Sequence, residues 1–112
     1  MIIYHNPRCS KSRQTLKLIQ DKNIDPEVVE YLKTPPTKKR IGEIIDGLGI
    51  EAHALLRKKE KAYGEAGLSQ NSSKKDIINA IAEYPILMER PVVYLSGRAV
   101  LGRPPENVLE LL

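Results

Sequence analysis

The order of patterns in the first 31 residues narrows the possible fold more than any other feature of the chain. Residues 1–5, Met1-Ile2-Ile3-Tyr4-His5, read as a strand. Ser10 to Lys22 reads as a helix with Leu16 and Ile19 on one face, closed by the turn Asn23-Ile24-Asp25-Pro26, and Val28 to Tyr31 reads as a second short strand. Strand, helix and strand within about thirty residues make a βαβ unit, whose right-handed crossover sets the two strands parallel. The only cysteine, Cys9, then falls at the carboxyl edge of the first strand, where open α/β sheets bind ligands.

Thr34-Pro35-Pro36 breaks the chain before Thr37, an N-cap for a helix carrying Ile41, Ile44, Ile45 and Leu48 at i, i+3, i+4 and i+7 and ended by Gly49. Ala52, Leu55 and Leu56 suggest a further short helix. Ser73 with Asp76 forms a capping box ahead of Ile77, Ala80, Ile81 and Tyr84, so residues 37–84 read as a helical block. Beyond Pro85, Val92 to Leu95 and Ala99 to Leu101 flank Ser96-Gly97, a dipeptide suited to a tight hairpin. Pro104-Pro105 opens a last helix with Val108, Leu109, Leu111 and Leu112. The expected order is βαβ, helices, ββα in a single domain spanning 1–112. With 41% hydrophobic residues and neither Phe nor Trp, its core must be built from Ile, Leu, Val, Ala and Tyr.

No stretch approaches the roughly 20 apolar residues of a membrane span, and the strand-like start leaves no room for a signal peptide, so a cytoplasmic protein is expected. A lone cysteine excludes an internal disulfide, and a reducing compartment keeps it free. The net charge of +4 comes from 18 Lys and Arg against 14 Asp and Glu. Its runs at Lys38-Lys39-Arg40, Lys58-Lys59-Lys61 and Lys74-Lys75 lie on helix-like stretches without interleaved aromatics. They read as solvated faces, giving nucleic-acid binding little support, whereas a small anionic substrate fits the balance.

The first amides of a helix point outward unpaired, so a sulfur at the start of the Ser10 helix is stabilised as thiolate. Making a thiol of pKa about 8.5 mostly ionised at neutrality takes roughly 2.7 kcal/mol. A helix terminus supplies about 0.3–1 kcal/mol when exposed and up to roughly 2 when partly buried, so further donors or cations are required. His5, Arg8, Lys11 and Ser12 are close enough in sequence to serve. Ser12, about one helical turn on, offers its hydroxyl or its amide to the sulfur, or simply caps the helix; His5 either acts on the thiolate or is hydrogen-bonded into the structure. Other cysteine chemistries fail on spacing. A phosphatase-type anion loop needs arginine at position 15, where Thr15 stands; a dithiol Cys-x-x-Cys needs cysteine where Ser12 stands; and one Cys with two scattered His makes no metal site.

Four motifs in order carry a family resemblance: His5-Asn6-Pro7 with Cys9-Ser10-Lys11-Ser12, then Ala54-Leu55-Leu56-Arg57, Glu89-Arg90-Pro91-Val92-Val93 and Gly102-Arg103-Pro104. Together they resemble the glutaredoxin-coupled arsenate reductase family, from Ile3 to about Leu111, with Pro35-Pro36 and Pro85 in register. The resemblance implies a thioredoxin-like mixed four-stranded α/β sheet with a helical insertion. It implies that Cys9 is the nucleophile, that His5 and Ser12 assist it, that Arg57, Arg90 and Arg103 bind the oxyanion, and that Pro91 is cis. Guanidinium forks match the oxygens of arsenate, each charge-assisted bond being worth roughly 1.5–3 kcal/mol. The sequence stops at Leu112 where longer arsenate-reducing members carry a further C-terminal tail, and Arg8 with Ser10-Lys11 departs from the smaller residues common around their cysteine, so the chain resembles a shorter branch.

Electron counting bears on mechanism independently. Reducing As(V) to As(III) oxidises two thiols to a disulfide, and this chain has one. Glutathione as co-substrate and glutaredoxin as partner then complete the cycle, with no bound cofactor, no metal and a monomer as the default. Two other readings use the same residues. A glutathione-dependent thiol-disulfide reductase would hold glutathione carboxylates on the arginines, and an Spx-like redox regulator would bind RNA polymerase, although Ser12 removes the two-cysteine switch common in such regulators.

Overall fold

A computed structural model describes residues 1–112. β1 (Ile2–His5), α1 (Ser10–Asp21) and β2 (Glu27–Glu30) form the expected crossover, with β1 and β2 parallel and Ile3 opposite Val28. β3 (Val92–Leu95) pairs antiparallel with β1, and β4 (Arg98–Leu101) with β3, giving the sheet order β2-β1-β3-β4. This mixed sheet is thioredoxin-like. The hairpin between β3 and β4 turns at Ser96 (φ 49°) and Gly97 (φ 83°), two left-handed residues as a tight primed turn requires.

The sheet is covered on both faces, and the two-residue period of the strands sorts the side chains. Ile3, Val93 and Val100, neighbours across the three strands, pack with Ile19 of α1 and with Val108 and Leu111. Their alternates Tyr4, Val92 and Ala99 pack on the other face with Ile41, Ile44 and Ile45 of α2 (Lys38–Leu48) and with Ile77 and Ile81 of α4 (Lys74–Glu83). Gly47 of α2 crosses the β3–β4 turn so closely that a Cβ would lie 2.8 Å from the carbonyl oxygen of Gly97. The caps of these helices are those read from the sequence. Thr37 accepts the Arg40 amide, Gly49 ends α2 at φ 66°, and Ser73 and Asp76 make a reciprocal capping box.

Several elements differ from the sequence reading. The last helix, Pro105–Leu111, and the turn Ala52–Leu55 are 3₁₀ helices, and a short α3 (Lys61–Glu65) was not anticipated. The second strand also begins and ends one residue earlier, leaving Tyr31 beyond it and fully buried. Proline pairs and short apolar spacing mark a helical turn without distinguishing i+3 from i+4 bonding. No helix is long and apolar enough to cross a membrane.

One contact ties the helical insertion to the sheet end. Leu56 and Met88 form an antiparallel bridge in which the Arg57 amide donates to the Leu87 carbonyl at 2.8 Å and the Glu89 amide to the Leu55 carbonyl at 2.7 Å. The bridge sets Arg57 beside Glu89 and Arg90, at the end of the sheet from which β1 exits and β3 begins.

Candidate active site

β1 ends in a loop that its own polar groups close. Asn6 accepts the Arg8 amide on Oδ1 at 3.0 Å, an Asx turn, and its carbonyl accepts the Cys9 amide at 3.0 Å. Cys9 is the N-cap residue of α1, extended at φ −96° and ψ 122°, and its side chain makes no capping bond. The half-buried thiol therefore faces the free amides of the first helical turn. Burial pushes its pKa up, but the amides of Ser12 and Lys11 and the guanidinium of Arg90 more than offset this, so the pKa lies below the ordinary cysteine value.

Ser12 thus acts on the sulfur through the dipole of its amide, without a capping bond. Its hydroxyl is fully buried on the other side, 2.6 Å from His5 Nδ1, and accepts the Asn6 amide at 3.1 Å. Burial holds the His5 pKa below its ordinary value, with Arg13 acting in the same direction and Glu30 against it. A neutral ring whose Nδ1 accepts the Ser12 hydroxyl completes the pattern. The side chains of His5 and Ser12 pair with each other and shape the loop that presents Cys9.

Two consequences can be measured. A lowered histidine pKa favours the folded state above the ordinary value of about 6.5, and this contribution is lost as pH falls through that value toward the folded pKa. His5→Ala is expected to remove that acid sensitivity, to cost about 1–3 kcal/mol because Ser12 loses a buried partner, and to raise the thiol pKa only slightly. A thiol returned fully to ordinary behaviour in this variant would mean that His5 acts on the sulfur directly.

Two arginines meet the sulfur. Arg103 Nη1 lies 3.9 Å from Sγ and also donates to the Arg90 carbonyl at 3.1 Å. Arg90 acts on the same thiol while its Nε and Nη1 are buried without a hydrogen-bond partner. Both arginines precede a proline in a cis peptide, Arg90–Pro91 and Arg103–Pro104. Gly102 holds the second of these segments against the first. Its amide donates to the Pro91 carbonyl at 3.0 Å, and a Cβ at this position would collide with Pro91 Cγ and the Thr15 side chain. Arg57 joins at one remove, through Glu89, whose carboxylate reaches Arg57 Nη1 at 3.1 Å and Arg103 Nε at 3.5 Å. Leu56, Arg57, Lys58, Lys59, Glu89 and Arg103 line a cleft of about 450 Å³.

Tyr31, which reads in the sequence only as the last residue of the second strand, belongs to this centre. Its hydroxyl is buried beside the Arg90 guanidinium without a hydrogen bond of good geometry, and burial raises its pKa against the pull of Arg90 and Arg57, so it stays a neutral phenol. Buried polar groups are nearly always well paired, so a phenol and a guanidinium that face each other without good hydrogen-bond geometry, next to a thiol of lowered pKa, leave bonding capacity for a polar guest. No cluster of His, Cys, Asp and Glu that could hold a metal ion is found.

A thioredoxin-like sheet that presents one activated thiol among arginines defines a class of thiol-dependent proteins that handle anions. Comparison with known proteins narrows it: the profile of the ArsC family matches residues 4–111, and the chain belongs to that family. It is 47% identical to the uncharacterised protein YfgD of Escherichia coli (strain K12), the match covering 98% of this chain and 94% of that protein. It is 44% identical to an arsenate reductase of Neisseria meningitidis serogroup A over 98% of this chain and 96% of the relative. A solved arsenate reductase from Vibrio cholerae superposes with a TM-score of 0.93 at 45% identity, covering 99% of this chain and 96% of that one.

Proposed function

We propose that this chain is an arsenate reductase that uses Cys9 as nucleophile and Arg57, Arg90 and Arg103 as the oxyanion site, with glutathione and glutaredoxin as external reductants. One observation carries the reading: the sulfur of Cys9 faces helix-terminal amides while Arg90 and Arg103 converge on it. The family and the names of its relatives point the same way.

The steps follow from the groups present. The guanidinium forks hold arsenate through charge-assisted bonds, and the Cys9 thiolate attacks arsenic, forming an S–As bond while an arsenate oxygen leaves as water after protonation. A glutathione thiolate then attacks Cys9 Sγ. The S–As bond breaks toward arsenic, which departs as As(III), and Cys9 is left in a mixed disulfide with glutathione. Exchange with glutaredoxin returns the Cys9 thiolate. Two thiols have become one disulfide, matching the two electrons arsenic gains. His5 and Ser12 hold the loop, and the Ser12 and Lys11 amides hold the charge on sulfur in the resting enzyme.

A solitary free thiol requires external sulfur and a reducing compartment, which favours a cytoplasmic enzyme acting as a monomer with two exchanging partners. In a reconstituted assay, arsenite should appear only when arsenate, glutathione and glutaredoxin are all supplied. Arsenite formation without glutathione, or failure to form it with all three, would overturn the reading.

A further inference from the structure

The carboxylate of Glu89 sits between two of the three guanidinium groups, and no step above uses it. Oε1 is 3.1 Å from Arg57 Nη1, Oε2 is 3.5 Å from Arg103 Nε, and the residue lines the same cleft. A carboxylate in this place either braces the arginines or fills the seat of an incoming anion. Bracing is already supplied. Arg57 Nε pairs with Glu60 at 3.2 Å, and Arg103 Nη1 is held by the Arg90 carbonyl at 3.1 Å, so each guanidinium keeps an anchor without Glu89. What Glu89 adds, and Glu60 on Arg57 alone does not, is negative charge and acceptor oxygens between Arg57 and Arg103, the two guanidinium groups of the proposed oxyanion site that line this cleft.

We propose that Glu89 is a specificity-determining residue of the oxyanion site, selecting anions that carry a proton they can donate and rejecting those that carry only acceptor oxygens. The proposal rests on the oxyanion role assigned to the arginines above. Sulfate at neutral pH has no proton to offer, so its oxygens and the Glu89 carboxylate repel across the cleft. Arsenate at the same pH keeps at least one hydroxyl, and an O–H donating to a carboxylate is among the stronger hydrogen bonds. The arginines supply affinity for both; the carboxylate supplies a penalty against only one, which is how specificity is built by repulsion.

The test is protection of Cys9 from alkylation by iodoacetamide, titrated with sulfate and separately with arsenate at constant ionic strength, in the wild-type protein, Glu89→Gln and Glu89→Ala. Thermal melts check that each variant is folded, and having two variants guards against one failing to fold. Removing one like charge at contact distance should lower the half-protecting sulfate concentration about tenfold. The arsenate value should change far less, so that the preference for arsenate shrinks by nearly that factor. An unchanged preference, or weaker protection by both anions, would overturn the role of Glu89 while leaving arsenate protection of the wild type intact. A wild-type thiol that neither anion protects would instead bring down the oxyanion reading, and this proposal with it.

Discussion

Cys9→Ser is expected to reduce arsenate turnover to background without weakening the fold. The two halves of that result can be separated because of where the residue sits. Cys9 occupies the N-cap of α1 yet makes no capping bond, and its side chain is half-buried rather than part of the packed core. Serine is among the preferred N-cap residues, and its hydroxyl can accept an amide of the first turn, so stability should hold or rise by about 0.5–1 kcal/mol. An alkoxide is inaccessible near neutrality, however, and serine cannot form the mixed disulfide on which regeneration depends. Turnover by a folded Cys9→Ser protein in the glutathione-coupled assay would sink the nucleophile assignment.

Arg90→Lys should have the next largest effect. Its Nε and Nη1 are buried without a hydrogen bond of good geometry and it acts on both Cys9 and Tyr31, so in the proposed mechanism it would serve the thiolate and the bound anion together. A lysine keeps the charge but loses the planar fork, forfeiting one or two charge-assisted bonds of about 1.5–3 kcal/mol each. A fall in kcat/KM of about 10²-fold is expected. The thiol should also respond. Its depressed pKa keeps the thiolate populated above that pKa, and the thiolate is lost as pH falls through it. Weakening the Arg90 contact moves this loss to higher pH, but the amides of Ser12 and Lys11 stop it short of ordinary cysteine. The pH dependence of Cys9 alkylation reads this directly, and an unmoved profile would remove Arg90 from the sulfur's surroundings.

Much of the fold was legible because its signals are local. The capping residues Thr37, Ser73 and Asp76, the left-handed Gly49 and the turn at Ser96-Gly97 are each set by a few neighbouring residues, and the structure has all of them. The position of Cys9 at the start of α1 was equally local. What could not be read is where separate segments meet. Nothing in the spacing of Arg57, Glu89 and Arg103 announces that one carboxylate joins two guanidinium groups, because that depends on the Leu56–Met88 bridge between distant stretches. Tyr31 is inconspicuous in the sequence for a related reason. It follows directly on a short strand and reads as one more core aromatic, and only the unpaired hydroxyl beside Arg90 sets it apart. The Asn6 turn, by contrast, was available from Asn-Pro-Arg, since an asparagine side chain accepting the amide two residues on is a local habit.

Because the sulfur and the three arginines of the proposed oxyanion site come from four segments that only the assembled sheet and its bridge bring together, anion recognition there would belong to the whole fold and to no fragment of it. In a denaturant titration, the ability of arsenate to shield the thiol should disappear at the same midpoint as tertiary structure, in one cooperative step. Protection from alkylation would then report the folded population, with one cysteine serving as both reagent target and gauge.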